Sequence, residues 1–230
     1  MSESRSVAPP SRALVERLLP PRPVAGCGGV TVRQADDLYA FWQEWENECG
    51  MRCTVPYWGI VWPASAVLAD FVTANPGTVR GLRVLDIGCG SGLASIAAMK
   101  NGAARAMAND TDTAALYLAS INAAENGVAF RTEEADLTAT DAFPAADIVF
   151  AADMFYVKKD APRLADFLSR MRRAGSRIIL ADACRPFTPR SGLSLLDERT
   201  VATRFDIEGV RQRTVRLFEV TGDLAGGAGG

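Results

Sequence analysis

The run VLDIGCGSG, Val84 to Gly92, sets one acid and three glycines at a spacing suited to ligand binding. An apolar strand pattern ends in Asp86, and Gly88, Gly90 and Gly92 follow before a helical pattern begins. Glycine is needed where a backbone turns with positive φ or where a ligand must approach the chain closely. A helix N-terminus behind such a turn presents unpaired N–H groups and a partial positive charge, which favours a carboxylate. Asp86, two residues before the first glycine, suits a cationic amino group. A pyrophosphate has no such group, and a dinucleotide fingerprint reads GxGxxG where this loop reads GxGxG. The alternative is a tight strand-to-helix turn with no ligand.

Asp110 ends the next strand pattern, in ARAMANDTD. An acid about 20 residues past a glycine loop hydrogen-bonds a ribose diol in nucleotide-binding α/β folds. It could instead cap the following helix, although Asp112 is better placed for that. Asp136, in EEADLTA after the third strand, can accept from an adenine amino group, or it is an ordinary acidic loop residue. The three acids fall at the carboxyl ends of successive strands, where open α/β sheets bind ligands. An amino acid, a ribose and an adenine fit S-adenosylmethionine (SAM) better than NAD.

The elements that must position these residues read as alternating strands and helices. Strand patterns cover Arg83–Ile87, Arg105–Asn109, Val128–Glu133, Asp147–Ala151 and Arg177–Ala181; helical ones cover Leu93–Asn101, Asp112–Asn126 and Ala161–Arg173. Such alternation specifies a doubly wound, Rossmann-like α/β fold with a mostly parallel sheet and helices on both faces. A helix near Leu193–Arg199 is expected before Val201–Ile207 and Thr214–Val220, which read as a terminal antiparallel pair. On the N-terminal side, Leu38, Phe41, Trp42 and Trp45 recur at helical spacing within Asp36 to Glu48, and a further helix starts near Pro63. The chain divides into a poorly ordered Pro-, Arg- and Gly-rich tail (1–30) with one short helix around Ala13–Leu19, accessory helices and a Trp loop (31–78), the ligand-binding core (79–221) and a flexible tail (222–230).

Composition narrows the function. The chain has 230 residues, 48% of them hydrophobic, which fits one large domain. A net charge of -2 gives no electrostatic reason to expect a nucleic-acid or anionic-membrane partner. No apolar run approaches the ~18 residues of a membrane span. A cytoplasmic monomer is therefore expected. Five cysteines form neither a disulfide framework nor a CxxC pair, so no metal site is expected. The chain contains no histidine, which removes histidine triads and histidine general bases.

PYWGIVWP (Pro56 to Pro63), VLDIGCGSGLASIAA, ANDTD and ADMFY (Ala152 to Tyr156) resemble the class I, seven-strand SAM methyltransferases. Within that class they look like the electron-transfer-flavoprotein β-subunit lysine methyltransferase group, over about Pro20 to about Val220. The resemblance implies a seven-strand sheet with an antiparallel last strand, SAM as cofactor and S-adenosylhomocysteine as product. It makes Asp153 and Tyr156 the D-x-x-Y motif of the catalytic site, and it lays Trp58 and Trp62 beside the cofactor. Asp153 would capture and orient the acceptor amine, unless it caps a helix; Tyr156 would position the acceptor. The tryptophans would wall the cation, unless they are ordinary core. The implied substrate is a protein lysine, as in the electron-transfer-flavoprotein β subunit. Val157 and the ADACR stretch (Ala181 to Arg185) depart from the group's usual pattern, which keeps a small amine or heterocycle as the alternative acceptor.

Overall fold

The computed structural model describes residues 7–224; the stretches 1–6 and 225–230, outer parts of the two expected tails, lie outside the described residues. Helix α1 (Arg12–Leu18) begins at Ser11, whose hydroxyl accepts from the Leu14 N–H. A short antiparallel pair follows, β1 (Pro21–Pro23) and β2 (Thr31–Arg33). This stretch, expected to be poorly ordered, is packed: Leu14, Val15 and Leu19 are buried with Phe41 and Trp45 of α2 (Leu38–Cys49). A Pro- and Arg-rich composition argues for disorder, but α2 offers its aromatic face as a surface. Asp37 caps α2, and Gly50 ends it in the left-handed conformation.

Pro63 opens α3 (Pro63–Ala74), a position where its missing N–H has no helical partner to lose. The alternating section then runs β3 (Arg83–Ile87), α4 (Leu93–Lys100), β4 (Arg105–Asp110), α5 (Thr113–Glu125), β5 (Arg131–Glu134), β6 (Ile148–Ala152), α6 (Ala161–Arg173) and β7 (Arg177–Asp182). Asp112 caps α5 by accepting from the Ala114 N–H. The chain closes with β8 (Leu193–Ala202), α7 (Phe205–Glu208) and β9 (Gln212–Val220).

Seven strands form one sheet in the order β5-β4-β3-β6-β7-β9-β8. Strands β3 to β7 are parallel, and β9 runs antiparallel between β7 and β8. Side chains alternate across the sheet. Val84, Phe150 and Ile179 pack against α3 and α4; Leu85, Val149, Ile178 and Leu180 pack against α6. Apolar residues on both faces are what a parallel sheet covered by helices requires.

The expected helix near Leu193–Arg199 is instead the first part of β8. Its Leu, Asp, Glu and Arg residues favour a helix locally, yet it pairs along β9 from Leu193↔Val220 to Ala202↔Gln212. A bulge between Leu195 and Asp197 breaks the two-residue alternation and so hides the strand in the sequence. Of the expected strand Val201–Ile207, only Val201 and Ala202 belong to β8; Phe205–Glu208 is α7.

Candidate active site

β3 lies between β4 and β6, where the sheet's winding reverses, and open α/β sheets bind ligands outside the carboxyl ends of such strands. Gly88, Gly90 and Gly92 leave β3 with φ of 64°, 50° and 78°. At Gly92 the chain needs glycine twice over: φ is left-handed, and a Cβ there would stand 2.9 Å from the Ala119 Cβ of α5. A Cβ on Gly88 would run into the Met154 Sδ, which overhangs the loop from the end of β6.

The carboxylate of Asp86 is buried, and one oxygen accepts from the Ser95 N–H (3.1 Å) and the Ser95 hydroxyl (2.8 Å) of α4. Burial pushes its carboxyl up to about 7. Asp110 accepts from the Gly90 N–H and the Asp112 N–H, each at 3.1 Å, and burial raises its carboxyl as well. Among the described residues, neither acid has a Lys or Arg within ion-pair distance. A cavity of about 40 Å³ opens here, lined in part by Trp62, Ser65, Asp86, Gly88 and Gly90. A buried and a half-buried acid without a cation, beside a glycine loop at a helix N-terminus, fit a ligand that brings its own ammonium, carboxylate and diol. The residues therefore fit SAM, with Asp86 and the loop at its amino-acid end and Asp110 at its ribose.

Asp136 stands apart. It is exposed, accepts from the Thr138 N–H and hydroxyl, and pairs with Arg163 of α6 at 3.2 Å. Its carboxyl is held below its ordinary value, first by the Thr138 hydroxyl. The two tryptophans also divide. Trp58 is core: its ring meets Phe41 and Trp45 edge-on at 5.6 and 5.4 Å, and its Nε1 donates to Asp112 at 3.0 Å. Trp62 borders the cavity, and its Nε1 donates to the Tyr57 carbonyl at 2.9 Å.

The acceptor side departs from expectation at Asp153. Both carboxylate oxygens already have partners, so the residue is not free to capture an amine. One oxygen accepts from the Ala64 N–H at the start of α3 (3.1 Å); the other accepts from the Ala183 N–H (3.1 Å) and from Arg185 Nε (2.8 Å). The side chain is 6% exposed, and the backbone holds a left-handed φ of 54°. A helix cap was the competing reading, and the helix capped is α3 rather than the following α6. Tyr156, by contrast, is half-exposed, with its ring 6.4 Å from Tyr57; Tyr57 in turn meets Trp62 at 5.7 Å. A larger cleft of about 320 Å³ continues outward from Tyr57 and Trp62 past Tyr39, Trp42 and Ile207.

Tyr57 and Ser95 also border the site, as do Met154 of the D-x-x-Y motif and Arg185 of the ADACR stretch, to none of which the sequence assigned a role. Tyr57 carried a signal, since it sits in the aromatic PYWGIVWP run. Arg185 was marked only as part of the departing ADACR stretch; its pairing was hidden because its partners Asp153 and Glu208 lie 32 and 23 residues away.

Residues 73–179 match the family model described as ribosomal protein L11 methyltransferase (PrmA). The electron transfer flavoprotein beta subunit lysine methyltransferase of Xenopus laevis is 35% identical over 178 residues, covering 71% of this chain and 70% of that protein. The rat protein of the same name is 35% identical over 150 residues, 64% of this chain and 57% of its own length. A Pyrococcus horikoshii structure, proposed to be an RNA methyltransferase, shares the fold at 18% identity and a TM-score of 0.53, over 70% of this chain and 84% of its own. On the Xenopus match, the chain belongs to the family of electron transfer flavoprotein beta subunit lysine methyltransferases and uses S-adenosylmethionine.

Proposed function

We propose that the chain transfers a methyl group to a lysine side chain of a protein, the β subunit of an electron transfer flavoprotein. One observation carries this reading: Trp62 lines both the cavity at the glycine loop and the outer cleft, so the way between them passes its ring, with Tyr57 and then Tyr156 packed alongside. A slim alkyl chain ending in an amine suits such a passage, and the cleft leaves room for the polypeptide beside it. Aromatic faces attract a cation and a methylated amine alike. The relatives' name and the near-neutral net charge of -2 support a protein acceptor over a nucleic acid.

When bound, the cofactor supplies an electrophilic methyl on a sulfonium. Asp86, Asp110 and the glycine loop would hold it, while Asp136, exposed and paired with Arg163, stands outside that set. The chain's remaining task is to present a neutral amine in line. A lysine titrates near 10.4, so deprotonation near neutral pH costs roughly 4–5 kcal/mol. The positive charge that the cofactor brings beside the amine disfavours the ammonium and lowers that cost. Asp153 sets the loop that carries Tyr156, and Tyr156 orients the amine as its proton leaves to water.

The test is transfer of labelled methyl to the purified flavoprotein β subunit, beside titration calorimetry with S-adenosylhomocysteine and NAD. Binding of S-adenosylhomocysteine alone, with label on a lysine, is expected. Label that enters only small amines would move the acceptor to a small molecule.

A further inference from the structure

Arg185 reaches three groups at once. Its Nε donates to Asp153 at 2.8 Å, and its two terminal nitrogens donate to Glu208 of α7 at 3.1 and 2.8 Å. Its guanidinium also lies over the Trp62 ring, 5.4 Å from the centroid. The side chain is only 12% exposed, so this network is screened little by water. Trp62 borders the cavity over the glycine loop, which puts one ring between the Arg185 charge and that cavity.

We propose that Arg185 is a positioning residue of the acceptor site: it pairs the Asp153 carboxylate and fixes the Trp62 ring, so that the acceptor amine does not face an unpaired Asp153. This rests on the amine-methylating reading above. An unpaired carboxylate beside the amine would stabilise the ammonium, the form that cannot attack. A paired one keeps its role in holding α3 and the β7 loop without that penalty. The fork geometry matters, because only a guanidinium can bind two carboxylates and stack on a ring together.

Other charges stand near the site. Glu208 keeps a second partner in Arg213 of β9. Asp182, beside Asp153, is pushed by burial up to about 6, so it is an anion wherever a lysine titrates and adds a background charge to wild type and variants alike. Asp110 and Asp160 act on Tyr156 from β4 and from the start of α6, with Tyr57 beside them. Replacing Arg185 also removes its pull on Asp182, Glu208 and Tyr156, so the double variant R185Q/D153N is needed to isolate the Asp153 contribution.

The experiment is the pH profile of kcat for lysine methylation in full-length R185Q, R185K and R185Q/D153N, with S-adenosylhomocysteine affinity measured on each. In R185Q the acidic limb should move up by about one pH unit, the usual size of such a charge effect. S-adenosylhomocysteine affinity should change less than about threefold, since the cofactor acids are untouched. R185K keeps the charge, so its limb should stay near wild type while kcat falls. In R185Q/D153N the limb should return to the wild-type position, and this variant strands no charge even if R185Q fails to fold. An R185Q profile lowered equally at every pH, or a double variant whose limb is displaced, overturns the proposal. Wild-type enzyme that labels no amine at all would sink the functional reading instead.

Discussion

Asp86 at the end of β3 and Asp153 just past β6 sit on neighbouring strands, and both are buried. They differ in what satisfies them. Asp86 has a serine and no cation, and burial pushes its carboxyl up to about 7. Asp153 has two backbone N–H groups and Arg185. The first is an acid left incomplete, as a site that awaits a cationic ligand should be. The second is complete without any ligand, as a structural acid should be. Asp86 is therefore an acid that a cationic ligand would finish, and Asp153 one that groups of the chain itself already satisfy.

Replacement of each acid should separate the two sides. Asp153→Ala strands Arg185 in a buried site, and breaking a buried ion pair costs about 3–5 kcal/mol. Glu208 retains part of that charge balance, so the lower end is expected, visible as a fall in Tm of roughly 10 °C. Turnover should be lost while the remaining folded protein binds S-adenosylhomocysteine nearly normally. Loss of cofactor affinity without loss of stability would reverse the assignment of the two acids.

Asp86→Asn should do the opposite. Affinity for S-adenosylhomocysteine should fall about 100-fold, the scale of a lost charge-assisted hydrogen bond in a buried site. The ligand-free protein should become more stable at neutral pH. The sign follows from linkage: a folded-state value of about 7 against an ordinary 3.8 means that the folded chain binds the extra proton. The contribution of Asp86 to stability thus declines as pH rises from about 4 to about 7, by up to about 4 kcal/mol. Urea unfolding of both proteins across that window should show the wild type losing more stability than the Asn variant, in which Asp110 and Asp182 still titrate. Parallel curves would mean that Asp86 is not strained by burial.

The same contrast explains what was legible in the sequence. The cofactor side is local: VLDIGCGSG carries its acid, its turn and its helix start within nine residues, and Asp110 follows at the next strand end. Each has a short-range physical reason, so each could be read. The acceptor side is assembled across the chain. Asp153 is readable as an acid after a strand, but its orientation depends on Arg185, Ala183 and the start of α3, which no spacing reveals. Trp58 and Trp62 differ by four residues and look equivalent; the buried faces of Phe41 and Trp45 claim only the first. The strand β8 was hidden in the same way, by a bulge whose reason is its partner β9.

Gly92→Ala gives a smaller effect on the cofactor side. The new Cβ would meet Ala119 of α5 at 2.9 Å from a left-handed backbone. Strain of about 1–2 kcal/mol from the backbone and a comparable overpacking cost should lower Tm by several degrees. Gly90→Ala meets nothing closer than the Trp58 Cα at 3.9 Å, so only the backbone term should remain. Equal losses at the two positions would mean that α5 yields freely.

The smallest effect is expected at Tyr156, and it decides whether the acceptor side does proton chemistry. The ring is half-exposed, and its phenol is raised above its ordinary value, first by partial burial and then by Tyr57. A hydroxyl so held stays protonated at neutral pH and cannot serve as a general base there. Its part is then to shape and orient, with Tyr57 and Trp62, through the face of the ring. Tyr156→Phe keeps that face, so kcat should fall no more than about threefold, with KM rising by a similar factor. A loss of the 10²–10⁴-fold size that general-base removal produces would show that the hydroxyl takes the amine's proton. Because Tyr156 is the one residue of the D-x-x-Y pair left open to solvent, that result would also route the proton through it to water.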